Sequence, residues 1–407
     1  MADTMLALVQ RNSNGKPAFS KEHIPKPQPE PHQLLVKISH IAQNPTDVQS
    51  FDRNISGDGA VFGCDFVGTV EDVGKDVTRA SKGDVIVGLI RGGEKKGIGA
   101  YSEYTLADQR ISFKLPASIS PAAASTVPLA AGTAWLALFS KDCLGIDRDK
   151  GSQNTVLVWG GSSSVGLYTI QIAALYGFKI ITTCSPRNFD LVKSCGATHV
   201  FDYNDPCVVQ KISEVEPNLQ YVFDTIGNDK SSVTASQAIR KEGGELCTVR
   251  PDKSFTENVT NQTKVTAVLV WTAFLKENRF LDTLWPPSKE DHELAAELFE
   301  NIPAWLESGK IKPNATSVKK GLDSVKDGHK EHRDGKISAY KIVYELKRLA
   351  PILKLQADLV SCILARNKDY EHRYIPDRSY EHFRLSRSRQ SKNSGGHKCK
   401  NSDQSHP

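Results

Sequence analysis

The segment Val156-Leu-Val-Trp-Gly-Gly-Ser-Ser-Ser-Val-Gly carries an apolar run into a Gly/Ser-rich turn and then into a stretch with helical periodicity. Small residues at such a turn let the backbone approach a pyrophosphate, and a helix N-terminus favours its negative charge. The pattern departs from strict G-x-G-x-x-G: Gly160 and Gly161 are adjacent, and serines fill the middle. An ordinary tight strand-to-helix turn has the same composition, and the repeated strand–helix alternation around it favours the nucleotide. Which nucleotide is read at the end of the second strand, where NAD-binding units usually place Asp or Glu against the ribose hydroxyls. Here the chain reads Cys184-Ser-Pro-Arg-Asn, with no carboxylate before Asp190. A hydroxyl, a guanidinium and an amide suit a 2′-phosphate, so NADPH is expected rather than NADH. Tyr203, after the third strand, is placed to stack near the adenine or ribose, or to pack as an edge tyrosine.

These residues require a parallel sheet to hold them. Short apolar strands are expected at residues 155–159, 179–184, 199–202, 221–226 and 244–249, with helices at 165–176, 189–195 and 231–239 between them. That rhythm implies a Rossmann-type, doubly wound α/β sheet. Ahead of it, Leu34-Leu-Val-Lys-Ile-Ser-His-Ile, Phe66-Val-Gly-Thr-Val-Glu-Asp-Val and Asp84-Val-Ile-Val-Gly-Leu-Ile read as strands divided by glycine turns, as in a compact antiparallel barrel. Beyond about residue 265 the order is less regular. A helix is expected over 290–307 and a strand at Tyr340-Lys-Ile-Val-Tyr. Residues 349–364 could form one further helix, and 384–407 read as disordered.

At 407 residues, 39% of them hydrophobic, the chain can bury a substantial core. The formal charge of +5 is concentrated at the end. Residues 347–407 hold 13 Lys/Arg against 6 Asp/Glu, and the preceding 346 are near neutral, so nucleic acid is not an expected partner of the main body. No apolar run is read as long enough to span a bilayer, and the start lacks the pattern of a signal peptide. The eight cysteines are scattered without a C-x-x-C pair, which fits reduced thiols in the cytoplasm.

Several ordered motifs together resemble the medium-chain dehydrogenase/reductase family over about residues 5–346: Asn44-Pro-Thr-Asp, Gly63-Cys-Asp-Phe-Val-Gly-Thr-Val, Gly99-Ala-Tyr-Ser-Glu-Tyr, Ala131-Gly-Thr-Ala-Trp and Gly335-Lys-Ile-Ser-Ala-Tyr-Lys-Ile-Val-Tyr. Within it, Ser185-Pro-Arg-Asn-Phe-Asp-Leu-Val-Lys-Ser-Cys-Gly-Ala is similar to the corresponding segment of fungal trans-acting enoyl reductases, which assist polyketide synthases. The resemblance implies a GroES-like β-barrel catalytic domain (1–128) completed by a returning segment (269–346), with the NADPH-binding Rossmann domain (129–268) between them. It also implies reduction of α,β-unsaturated thioesters held on an acyl carrier protein. Carried over by motif, Ser162, Ser163, Ser164 and Val165 would meet the pyrophosphate. Ser185, Pro186, Arg187 and Asn188 would meet the 2′-phosphate, and Tyr203 the adenosine end. Thr46, Asp47, Val48, Gln49, Ile337 and Ser338 would approach the cofactor from the barrel side. Thr133, Ala134, Trp135, Leu136, Ala137, Leu138, Phe139 and Ser140, with Val268, Leu269, Val270, Trp271 and Thr272, would line the substrate pocket.

Zinc-using relatives carry Cys where this chain has Gln43-Asn44-Pro45 and Gly-His-Glu where it has Gly63-Cys64-Asp65. One Cys beside one Asp is not a metal site, so no metal is expected. Hydride would pass from the nicotinamide to the β-carbon of an enoyl thioester, and charge would develop on the thioester oxygen. The proton donor is not assigned. Gln49 stands where related enoyl reductases often have lysine, and Tyr101 and His40 are candidates that equally suit packing roles. A quinone or free-enone reductase of the same fold is the alternative enzyme, and a non-catalytic nucleotide-binding accessory protein the alternative class. A monomer is expected. The basic extension after residue 346 lies outside the resemblance and reads either as a partner-binding arm or as read-through past a stop.

Overall fold

The computed structural model describes residues 3–13, 15–280 and 283–346. The expected helix at 349–364 and the basic tail lie outside the described residues.

A hairpin of β1 (Thr4–Ser13) and β2 (Lys16–Pro25) opens the chain, followed by β3 (Gln33–Ala42), the short helix α1 (Pro45–Asp52), β4 (Asp65–Val73), β5 (Val85–Leu89), β6 (Tyr104–Asp108) and β7 (Ser112–Lys114). Helices α2 (Pro121–Ala124) and α3 (Pro128–Phe139) lead into β8 (Thr155–Trp159), α4 (Ser164–Leu175), β9 (Lys179–Cys184), α5 (Phe189–Ser194), β10 (His199–Asp202), α6 (Val208–Val215), β11 (Tyr221–Asp224), α7 (Ser231–Ser236), β12 (Gly244–Thr248) and β13 (Thr263–Ala267). The remainder comprises a small hairpin, β14 (Asn278–Phe280) and β15 (Thr283–Trp285), then α8 (Lys289–Glu307), β16 (Ala315–Lys320), α9 (Val325–Arg333) and β17 (Tyr340–Glu345).

Two sheets organise these elements. Six parallel strands run in the order β10-β9-β8-β11-β12-β13, the doubly wound arrangement expected from the strand–helix rhythm. The other sheet runs β16-β17-β3-β4-β5-β7, with β6 also on β3. Its last strand in sequence, β17, lies antiparallel to β3, with Val343 opposite Ala42. Register shifts at Leu35/Val36 and Ile38/His40 bend β3 against β4, as bulges do where a sheet curls.

Two expectations are corrected. The series does not close at β12: Thr263-Lys-Val-Thr-Ala adds a sixth strand on the β12 edge. No helix separates the two, so the alternating signal is missing there, and the strand is too polar to read as a buried one. The segment Pro121–Phe139 does reach the length and hydropathy of a membrane span, yet 83% of its window is buried inside the molecule. Every residue of α3 is buried, as in a central core helix. Several elements are also shorter than expected. Strand β11 ends at Asp224 because its Oδ1 accepts from the backbone N–H groups of Ile226 (2.9 Å) and Gly227 (3.1 Å), folding the chain into a turn.

An ion pair in the interior joins the parts. Lys341 on β17 is 4% exposed and Asp65 on β4 is fully buried, with Nζ 2.8 Å from Oδ2. Lys341 Nζ also donates to Asn44 Oδ1 at 2.8 Å, and Asn44 Nδ2 donates to Asp65 Oδ2 at 2.9 Å. The other Asp65 oxygen accepts from the backbone N–H of Leu129 at 2.8 Å, in the first turn of α3. Asn44 in turn caps α1, its backbone N–H donating to Asp47 Oδ2 at 2.7 Å. Removing one partner of such a pair leaves an uncompensated charge in the interior, which costs about 3–5 kcal/mol. Lys341→Met is therefore expected to lower unfolding stability by about that amount. In Lys341→Met/Asp65→Leu, urea titration should recover at least half of the loss.

His329 on α9 is 1% exposed. Its ring lies against Phe19 and Phe51, with centroids 5.2 and 5.7 Å away. Its Nε2 meets the Tyr101 hydroxyl at 3.3 Å, and Nδ1 has no partner among the described residues. Burial, with Arg333 nearby, holds its pKa down at about 3. The unfolded chain takes up this proton near 6.5, and the native fold does not until far lower. Stability should therefore fall as pH drops below about 6.5, by at most about 1.4 kcal/mol per pH unit from this group. His329→Leu should flatten that slope in unfolding curves recorded at pH 7 and pH 5.

Candidate functional site

The C-terminal ends of β8 and β11 face one cleft, at the point where strand order reverses. The Gly/Ser turn forms its floor. Gly160 turns the chain at φ 84°, a conformation that favours glycine. A Cβ on Gly166 would stand 2.4 Å from the carbonyl oxygen of Gly160, so glycine there allows α4 to pack close against the turn. Ser163 caps α4, its Oγ accepting from Gly166 N–H at 2.9 Å and meeting Thr225 Oγ1 at 2.8 Å. The Ser164 hydroxyl accepts from Asn314 Nδ2 at 2.6 Å. Among the described residues Ser162 makes no side-chain hydrogen bond and remains open to the cleft.

The cleft has a volume of about 560 Å³. Of the residues expected at the cofactor, Ser162, Ser163, Ser164, Ser185, Tyr203, Ile337 and Ser338 line it. Val165 does not; it faces a neighbouring cavity. Pro186, Arg187 and Asn188 stand outside the lining and form a 3₁₀ turn directly after Ser185. Arg187 is exposed and bridges the two sheets' segments by donating from Nη2 to Ser338 Oγ at 3.1 Å. The lining also holds residues that the sequence reading did not assign to the cofactor: Gln43, Asn44, Thr183, Asn228, Lys230, His332 and Lys341 among them. Lys230 and Asn228 follow β11, and the loop after that strand lies at the switch point, where ligand contacts are expected from topology alone. No Asp or Glu lines the cleft among the described residues, whereas Lys230, His332 and Lys341 do.

A second cavity, of about 220 Å³, meets the first at Pro45 and Ile226. Its wall is mainly apolar, with Leu129, Val165, Val249, Val268, Leu269, Val270 and Trp271, but Thr46, Gln49 and Thr133 and the charged Arg53, Arg250 and Asp252 also line it. The substrate-side expectation is corrected within α3. Ala134, Trp135, Leu136, Ala137, Leu138, Phe139 and Ser140 are buried away from this wall, and Trp135 Nε1 instead donates to Leu294 O at 2.7 Å. Only one face of a helix can reach a cavity, and here it is the face of Leu129 and Thr133, one turn apart. Thr272 is likewise buried, its hydroxyl donating to Leu269 O at 3.0 Å. Around α1, Thr46 and Gln49 face the cavity while Asp47 and Val48 turn into the core. Burial raises the Asp47 pKa to about 7. The candidate proton donors Tyr101 and His40 line neither cavity. Tyr101 is fully buried against His329, and His40 Nδ1 meets Ser39 Oγ at 3.0 Å.

Residues 164–272 match the family of zinc-binding dehydrogenases, and residues 30–117 match the GroES-like domain of alcohol dehydrogenases. A zinc-type alcohol dehydrogenase-like protein of Schizosaccharomyces pombe is 32% identical over 352 residues, covering 84% of this chain and 100% of that protein. The trans-enoyl reductase eqxC of Fusarium heterosporum is 35% identical over 351 residues, covering 84% of this chain and 98% of its own. An alcohol dehydrogenase superfamily protein from Novosphingobium aromaticivorans has the same fold, with a TM-score of 0.67 at 23% identity over 84% of this chain and 100% of its own.

The metal that the first family's name implies does not fit these residues. The positions concerned hold Asn44, Cys64 and Asp65, and the Lys341 ammonium lies 2.8 Å from Asp65. Burial beside Asp47 pushes the Cys64 thiol well above its usual pKa, away from the thiolate a metal needs. Among the described residues no group of three or more His, Cys, Asp and Glu side chains could hold a metal ion. With its GroES-like barrel, its parallel sheet bearing a glycine-turn cleft, and relatives matched over nearly their whole length, the chain belongs to the medium-chain dehydrogenase/reductase family and is an oxidoreductase of the nicotinamide-dependent kind.

Proposed function

We propose that this protein is an NADPH-dependent, trans-acting enoyl reductase that reduces α,β-unsaturated thioesters borne by the acyl carrier protein of a polyketide synthase. The observation that carries the cofactor choice is the make-up of the cleft: Lys230 and several hydroxyls line it, and no carboxylate does among the described residues. An Asp or Glu at the end of β9 would repel a 2′-phosphate, and Ser185 stands there instead. Arg187, already held by Ser338, is within the same loop to pair with that phosphate. The substrate choice rests on the adjoining apolar cavity and on the trans-enoyl reductases among the relatives.

The bound nicotinamide supplies hydride for the substrate's β-carbon. The chain's own residues hold the acyl group: Leu129, Val165 and Val268 to Trp271 supply the apolar wall. Gln49 lines the same wall and carries a neutral amide donor for the thioester oxygen as charge grows on it. Water supplies the proton at the α-carbon, since the buried Tyr101 and His40 stand away from the cavity. Positioning of this kind provides much of the rate in a hydride transfer.

Two measurements test the reading. Purified protein should oxidise NADPH faster with a crotonyl thioester on a pantetheine arm than with a simple quinone; the reverse order would move the assignment to a quinone reductase. Ser185→Asp and Arg187→Ala should each raise the KM for NADPH about tenfold or more, the size of one charged hydrogen bond, with far less effect on NADH. Equal effects on both nucleotides would overturn the 2′-phosphate assignment.

A further inference from the structure

Many arginines of this protein are paired. Arg11 meets Glu22 and Asp58, Arg110 meets Glu293, Arg148 meets Glu297 and Arg333 meets Asp52. Two that line the apolar cavity, Arg53 and Arg250, form no ion pair among the described residues. Arg53 is the exposed residue that ends α1 on the barrel side. Arg250 follows β12 on the other side, its Nε fixed by donation to Gly227 O at 2.6 Å and its guanidinium over the Phe255 ring at 5.7 Å. The two like charges line one cavity, and burial, followed by the charge of Arg53, lowers the pKa of Arg250 against the opposing pull of Asp252 and Asp224. Asp252 also lines the cavity, but its Oδ1 is already engaged by the backbone N–H and hydroxyl of Ser254. Asp224 is fully buried and spent on Ser231, Ser232 and the following turn. Exposed apolar side chains stand close by: Ile55 at 47% and Ile226 at 40% exposure line the cavity, and Phe255 at 41% lies against the Arg250 guanidinium.

Two unpaired guanidiniums that repel one another across a partly apolar mouth are relieved by an anion between them. We propose that Arg53 and Arg250 clamp the phosphate of a phosphopantetheine arm, so that the cavity takes the acyl thioester and its mouth takes the arm's charge. This rests on the enoyl-thioester reading above. The same phosphate is present on coenzyme A and on a loaded carrier protein, and the Ile55–Phe255 rim suits the apolar stretch of either arm.

Steady-state kinetics with the full chain and NADPH would compare crotonyl-pantetheine with crotonyl-phosphopantetheine, which differ only in the phosphate. The wild-type KM should be at least tenfold lower for the phosphorylated arm. In Arg53→Ala and Arg250→Ala that ratio should fall toward one, and Arg250→Lys, which keeps the charge, should restore part of it. A wild-type ratio near one, or a ratio that survives both alanine variants, would overturn the clamp. So would a matching rise in the KM for NADPH, which would assign the arginines to the cofactor. Crotonyl-CoA and a crotonyl-loaded carrier protein separate the sources: a parallel loss with both supports the clamp as stated, and a loss confined to crotonyl-CoA overturns its role on a carrier. If the wild type reduces no thioester, the enoyl-reductase reading fails on its own. Calorimetric titration of phosphopantetheine against pantetheine then still decides the clamp, a tenfold preference lost in the variants supporting it and equal affinities refuting it.

Discussion

The buried pair of Lys341 and Asp65 is the interaction on which the arrangement of the site depends. It reaches four separate pieces of chain: the closing strand of the barrel, the barrel strand β4, the start of α1 through Asn44 and the start of α3 through the Leu129 N–H. Three of those pieces contribute to a wall. Lys341 and Asn44 line the nucleotide cleft, and Leu129, with residues of α1, lines the apolar cavity. A charge pair so far from solvent adds little net stability compared with an apolar substitute. What it does well is fix direction. Every oxygen of Asp65 and the Lys341 ammonium has a polar partner, so the strands and both helix starts are held in one register rather than in several of similar energy.

The two cavities divide the work by composition. The cleft at the ends of the parallel strands is polar, lined by hydroxyls, amides and Lys230. The adjoining cavity is mainly apolar, with Arg53, Arg250 and Asp252 also in its lining. They touch at Pro45 and Ile226, one from the barrel side and one from the loop after β11. Ser163 and Thr225, hydrogen-bonded to each other at 2.8 Å, tie the glycine turn to that same loop. The relative position of the two cavities is thus set by a short seam and not by long side chains.

Much of this was legible in the amino-acid order, and the gaps have physical reasons. The strand–helix alternation announced the parallel sheet, and the turn at Gly160 announced its cleft, because both are local signals. Strand β13 was missed because no helix precedes it and its edge position permits polar residues. The substrate stretch after Thr133 was assigned too broadly for a related reason. A helix apolar on every side carries no periodic sign of which face meets a cavity, and in α3 only the Leu129–Thr133 face does so. The membrane-length character of residues 121–139 went unread because polar Ser125 and Thr126 interrupt the run; in the fold both are buried. Lys341 was visible only as one more residue of a strand motif. Its partner lies 276 positions earlier, and no local pattern reveals a contact at that distance.

That separation bears on how the protein must be made. On a ribosome adding about 5–20 residues per second, Asp65 emerges roughly a quarter of a minute to a minute before Lys341 exists. Throughout that interval β3 lacks β17 along one edge, and the carboxylate destined for the interior has no counter-charge. The nascent barrel can therefore collapse only in part until the last strand is threaded onto it, long after the parallel sheet has been synthesised. A chain built this way exposes an unpaired sheet edge during translation, and its yield in the cell should depend on how well chaperones shield that edge until synthesis ends.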